Sequence, residues 1–129
     1  MPGKQILIVD DDKDLVEALK TILESAGYQI TTASNGNEGW EKVQKSRPDL
    51  AIVDVVMDTI ADGVRLTQRF RSDEKLKDMR ILMLTGIREK TGFNLRPDSA
   101  EGFLYLPVDK FLEKPVDPSV LLNAVAELL

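Results

Sequence analysis

Three apolar runs and one shorter strand-like stretch in this chain each stop at a residue able to do chemistry. Ile6-Leu7-Ile8-Val9 runs into Asp10, Asp11 and Asp12, and Leu50-Ala51-Ile52-Val53 runs into Asp54. Ile81-Leu82-Met83-Leu84 stops at Thr85, and the shorter Phe111-Leu112-Glu113 stops at Lys114. If these runs are strands of one parallel sheet, their carboxyl ends share the edge where such sheets bind ligands. One crevice would then hold three or four carboxylates, a hydroxyl and an ammonium. Crowded carboxylates raise one another's pKa unless a cation sits between them, and a hard divalent metal resolves that conflict. Mg²⁺ suits one or two carboxylates together with waters and a phosphoryl oxygen. Lys114 adds a fixed positive charge and Thr85 a hydrogen-bond donor, a set suited to a phosphoryl group in transfer. A carboxylate can itself be the nucleophile and form an aspartyl phosphate.

Each residue taken singly has a plainer reading. The Asp10–Asp12 run could stabilise a helix N-terminus. Asp54 could close a strand at a turn. Thr85 and Lys114 could be solvated surface groups. What argues for a site is the coincidence of four strand ends carrying complementary groups at one edge.

Composition narrows the chemistry further. The chain has 129 residues, one domain's length, expected to be a single domain over 1–129. Cysteine and histidine are both absent, which excludes disulfides, zinc fingers, thiol nucleophiles and histidine general bases. A metal must therefore take oxygen ligands, which points to Mg²⁺, Mn²⁺ or Ca²⁺. A formal charge of −5 argues against a nucleic-acid binder. The apolar runs are too short to span a membrane, and MPGKQ lacks a signal-peptide pattern, so a cytoplasmic protein is expected.

The elements that must position these groups alternate. The strands are apolar on both faces, as in a parallel sheet covered by helices on both sides. Between the first two strands, Leu15, Ala18, Leu19, Ile22, Leu23 and Ala26 mark one helix face, with Asp11 or Asp12 at its start and Gly27 at its end. A strand over Tyr28–Ala33 is followed by a turn at Asn35-Gly36 and a helix with Trp40 and Val43 inward. A loop from Asp54 to Asp62-Gly63 precedes a helix carrying Leu66 and Phe70. Asp117-Pro118 opens the last helix, with Leu121, Leu122, Val125 and Leu128 inward. The stretch from Gly86 to Lys110 breaks the pattern, because Gly92, Pro97, Gly102 and Pro107 interrupt any helix there. It reads as an irregular segment.

As a set, ILIVDDD, LAIVDVVMD, ILMLTG and FLEKP resemble the receiver domain of bacterial two-component response regulators over nearly the whole chain. The resemblance implies an α/β, doubly wound five-stranded parallel sheet of flavodoxin-like strand order 2-1-3-4-5, with helices on both faces. The irregular segment would stand in place of the family's fourth helix. It implies Asp54 as phosphoacceptor and a Mg²⁺ (or Mn²⁺) site made by Asp10, Asp11, Asp54 and the backbone carbonyl of Val56. Lys114 and Thr85 would meet the phosphoryl group, Pro115 would match the family's cis-proline, and Phe111 would be the aromatic switch. The implied donor is a sensor histidine kinase or a histidine phosphotransfer protein. The implied target is a downstream protein, or an output domain absent from this chain.

The sequence also departs from the family. Met57-Asp58 replaces the common Met-Pro, and the 28-residue interval between Thr85 and Lys114 is several residues longer than usual. Val56 and Ile87 occupy positions that in the family flank the hydrolytic water, and neither side chain can hydrogen-bond it, so slow autodephosphorylation is expected. The apolar group Phe103–Leu106 either covers the sheet or forms a partner surface. Three competing readings remain. One is a phosphorylation-independent binding module on the same fold, opposed by the intact set of five core residues and kept open by the altered interval. Another is a haloacid-dehalogenase-type phosphatase, suggested by Asp10 and Asp12 but opposed by Asp14 and by the missing later Gly-Asp motif. Direct DNA binding is disfavoured by the acidity.

Overall fold

The protein is described from a computed structural model, which covers residues 3–54, 60–85, 108–114 and 116–129, with backbone alone at 60–64 and 85. In chain order the elements are β1 (Gln5–Val9), α1 (Lys13–Ser25), β2 (Gln29–Ala33), α2 (Gly36–Lys45) and β3 (Leu50–Asp54). There follow α3 (Ile60–Ser72), β4 (Arg80–Thr85), β5 (Lys110–Glu113) and, as the last described helix, α4 (Pro118–Leu128). The five strands form one parallel sheet in the order β2-β1-β3-β4-β5. The expected strand order is therefore present.

Alternation along the strands divides the core into two layers. Ile6, Ile8, Leu50, Ile52, Leu82 and Leu84 face α1 and α4, meeting Leu19, Leu23, Leu121 and Val125. Leu7, Val9, Ala51, Val53 and Ile81 face α2 and α3, meeting Val43, Leu66 and Phe70. Both faces of β1 and β3 are thus dry, which is why their sequences are unbroken apolar runs. Each fully buried side chain of this size contributes about 1.5–3 kcal/mol relative to exposure.

The helix ends follow local chemistry. Asp12 caps α1 by accepting from the Asp14 and Leu15 amides, and Gly27 just beyond the helix takes a φ of +95° that suits glycine. Asn35 caps α2, and Glu38 reaches back to the Ser34 amide, an arrangement close to a capping box. Those bonds to Ser34 hold the Glu38 carboxyl below its ordinary range, led by the backbone amide. Asp117 caps α4 with Pro118 in its first turn. Between α2 and α3, Trp40 stacks on Phe70 at 6.1 Å, and the Arg69 guanidinium lies 4.3 Å over the Trp40 ring.

Three expectations need correction. The buried line of α1 runs through Val16, Leu19 and Leu23, with Ala18 and Ala26 exposed. Alanine lost that competition because it offers little area to bury. Helix α3 starts at Ile60, so Asp62-Gly63 lies inside its first turn rather than before it. Strand β5 begins one residue early, at Lys110. The irregular segment expected over 86–110 falls outside the described residues as far as 107, as do Val56, Asp58, Ile87, Phe103–Leu106 and Pro115.

Candidate functional site

Strand order and register bring the chemical residues together. Val9 pairs with Val53, so Asp10, just past β1, and Asp54, the last residue of β3, stand at the same level on adjacent strands. Asp54 pairs with Leu84, and Thr85 pairs with Glu113, one residue before Lys114. The four strand ends thus converge on one edge.

The three consecutive acids have different duties. Asp10 is 2% exposed. Its amide donates to the Ala33 carbonyl at 3.0 Å and its Oδ1 accepts from the Asp12 amide at 2.9 Å. Asp12 turns away to cap α1. Asp11 is exposed, yet one of its carboxylate oxygens lies within 4.8 Å of oxygens from Asp10 and Asp54. The backbone turn made by the Asp12 and Asp10 bonds is what lets neighbouring acids point different ways.

Asp54 is 3% exposed at the end of β3. The Lys114 ammonium bridges it to Asp10, with Nζ 3.2 Å from Asp54 Oδ2 and 3.3 Å from Asp10 Oδ2. Burial alone would push the Lys114 pKa down, and it is the largest single influence there. The combined attraction of Asp54 and Asp10, with their hydrogen bonds, outweighs it and leaves the ammonium above its ordinary value. Lys114 is therefore a firmly held cation at neutral pH.

Three carboxylates against one ammonium leave a formal excess of two negative charges. All the converging acidic groups are hard oxygen donors, so the set fits a divalent cation such as Mg²⁺. Thr85 occupies the expected place by backbone position. Phe111 is half-buried on β5, with its backbone paired to Met83.

Sequence reading missed Asp109. Its carboxylate accepts from Arg71 at 2.7 Å, from the Ile81 amide at 2.8 Å and from Arg80 at 3.4 Å. Nothing in the local sequence marks it, because all three partners are distant in the chain.

The chain matches the family described as response regulator receiver domain over residues 6–126. It is 35% identical over 127 residues to the transcriptional regulatory protein GltR of Pseudomonas aeruginosa, covering 98% of this chain and 49% of that protein. It is 34% identical over 127 residues to the response regulator receiver protein CpdR of Brucella abortus, covering 98% of this chain and 97% of that one. The fold matches the chemotaxis response regulator CheY4 of Vibrio cholerae with a TM-score of 0.83 at 29% identity, over 98% of this chain and 99% of that one. The chain spans about half the length of several curated relatives it matches.

Proposed function

This chain belongs to the response regulator receiver domain family, and on that premise we propose that it is, over 1–129, a single phosphoacceptor switch in a histidine-to-aspartate relay with Asp54 as the acceptor. The observation that carries this reading is the Lys114 ammonium bridging two buried carboxylates, Asp10 and Asp54, at the edge where β1 and β3 end.

The residues suit in-line transfer from a phosphohistidine. A carboxylate oxygen of Asp54 forms the new O–P bond while the donor's N–P bond breaks. The bonding pair leaves with the imidazole nitrogen, which takes a proton from solvent. Lys114 already lies against Asp54 and exchanges that contact for a phosphoryl oxygen, so charge that develops there meets a fixed ammonium. The Thr85 hydroxyl donates to a second phosphoryl oxygen, and Phe111 turns inward with it. That movement biases a two-state face toward a downstream protein or an output domain joined to the receiver.

Asp10, Asp11, Asp54 and the Val56 backbone carbonyl would hold Mg²⁺, or Mn²⁺ in its place. When bound there, the cation offsets the repulsion between an anionic acceptor and an anionic phosphoryl group. The donor in this reading is a sensor histidine kinase or a histidine phosphotransfer protein. The chain accepts and slowly loses phosphate rather than turning over a substrate. No described helix is long and apolar enough to cross a membrane, and the reading places the protein in the cytoplasm.

The test is intact-protein mass after incubation with acetyl phosphate and Mg²⁺, beside an Asp54→Asn variant and an EDTA control. A single phosphoryl adduct requiring both Asp54 and metal is the expected result. A folded protein that takes no adduct from acetyl phosphate or from phosphorylated histidine phosphotransfer proteins would leave the phosphorylation-independent binding module in its place.

A further inference from the structure

Strand β5 delivers Lys114 to the site from the edge of the sheet, where its pairing with β4, the packing of Leu112 on the layer of α1 and α4, and the Lys110–Glu127 ion pair at 2.6 Å hold it. It has four residues at the sheet edge, and none of its side chains is fully buried. Side-chain packing therefore constrains its register weakly, and a one-residue slip would carry every side chain to the opposite face. Lys114 would then leave Asp54 and Asp10.

A stronger constraint on register lies one residue before the strand. Asp109 grips Ile81 twice: its own amide donates to the Ile81 carbonyl at 2.9 Å, and its Oδ2 accepts from the Ile81 amide at 2.8 Å. The same carboxylate takes the Arg71 guanidinium at 2.7 Å and Arg80 at 3.4 Å. Arg71 in turn donates to the carbonyls of Lys77 and Met79, just ahead of β4. The end of α3, the start of β4 and the start of β5 thus close on one carboxylate. Bonds to charged partners are the strong ones, and several on one acceptor fix geometry better than any single pair.

We infer that Asp109 is a positioning residue for phosphoryl transfer: it pins the register of β5 on β4 and thereby sets where the Lys114 ammonium stands. Asp109 touches no reacting atom and acts wholly through Lys114. The inference rests on the proposed acceptor chemistry for its kinetic consequence, but the register pin is a separate property of the fold.

The test is a double-mutant cycle on the acetyl phosphate reaction, using Asp109→Ala, Lys114→Ala and the pair, each checked for folding by circular dichroism. Misplacing a charge that meets the phosphoryl group should slow phosphorylation by about tenfold in Asp109→Ala. In the Lys114→Ala background the same change should cost nothing further. Asp109→Asn keeps an acceptor for the Ile81 amide and should recover part of the rate. A second readout does not depend on phosphorylation: labelling by an amine-reactive ester, read by peptide mass with Lys45 as internal reference. Lys114 should label several-fold faster in Asp109→Ala than in the unaltered chain. Equal losses from Asp109→Ala in both backgrounds would overturn the inference, as would unchanged Lys114 labelling. If the unaltered chain takes no phosphoryl group while Lys114 labelling still responds to Asp109, the acceptor reading fails and the register pin stands.

Discussion

The Lys114 ammonium stands 3.2 Å from the Asp54 carboxylate, and this contact joins the end of a wholly buried strand to the end of an edge strand with no fully buried side chain. The side chain of Lys114 is 24% exposed, against 4% and 1% for the side chains of Asp54 and Asp10. Removing the ammonium leaves two buried carboxylates facing each other. Losing one partner of a fully buried pair costs about 3–5 kcal/mol, and the partial exposure of Lys114 puts the expected loss for Lys114→Met at about 2 kcal/mol. Urea denaturation at neutral pH without divalent cations checks it. A midpoint unchanged from the unaltered chain would mean that water solvates both acids.

The same contact sets an alkaline pH dependence. Asp54 and Asp10 raise the Lys114 pKa above its ordinary value near 10.5 despite the opposing effect of burial. A raised folded-state pKa contributes stability that is complete below the unfolded value and is lost as pH rises through the folded one. The stability gap between the unaltered chain and Lys114→Met should therefore stay level from about pH 7 to 9 and close only above the ordinary lysine value. Paired urea titrations across that range would show it. A gap that closes near neutrality would place the ammonium elsewhere.

Metal binding should separate Asp11 from its neighbours. Asp11 is exposed, so Asp11→Asn should change stability without metal by less than about 0.5 kcal/mol. Its carboxylate still belongs to the converging set, so the variant should lose most of the stabilisation that Mg²⁺ gives the unaltered chain. For a site filled to 100 times its dissociation constant that stabilisation is about 2.7 kcal/mol. Thermal unfolding over a Mg²⁺ series, with ionic strength matched by NaCl, makes the comparison. Equal responses in the two proteins would remove Asp11 from the metal set.

The candidate site was legible because its residues stand at the ends of strand-like runs, three of them wholly apolar, and such a run that ends in a polar group can be read without knowing its neighbours. The two layers of the core were legible for the same reason. What escaped were features decided by contact rather than pattern. Val16 rather than Ala18 lies on the buried line of α1 because the larger side chain gains more by facing Leu19 and Leu23. Asp62-Gly63 looked like the end of a loop, yet a single glycine inside a helix costs only about 1 kcal/mol and the first turn of α3 includes it. Asp109 was invisible because its meaning depends on the β4–β5 register, which no local window contains.

Gly39 tests whether packing overrides helix propensity. It sits inside α2, where alanine would ordinarily gain about 1 kcal/mol. A Cβ added there would lie 3.0 Å from Val9 Cγ2, and Val9, fully buried and stiff at χ1, would have to give by a few tenths of an ångström. Gly39→Ala should therefore destabilise the chain by about 1–2 kcal/mol, the usual range for overpacking. Because Val9 precedes Asp10, the strain should also lower the Mg²⁺ response. A more stable variant in thermal unfolding would show that α2 can move outward without cost.

On the proposed acceptor chemistry, two residues that cannot guide water set the expected lifetime of the adduct. In the family that the chain belongs to, the residues two beyond the acceptor and two beyond the threonine flank the path of the hydrolytic water. Here these are Val56 and Ile87, and neither side chain can donate or accept a hydrogen bond. On the proposed acceptor chemistry, hydrolysis of an Asp54 phosphate would get no help from these two side chains in orienting the nucleophile, which is the part of the barrier that positioning ordinarily removes. The adduct should persist for minutes rather than seconds after the phosphodonor is removed. Val56→Asn, which supplies both a donor and an acceptor, should shorten it by about tenfold. Decay of the phosphorylated mass after desalting measures both. A lifetime of seconds in the unaltered chain would mean that another group orients the water, and an unchanged lifetime in Val56→Asn would move that role away from position 56.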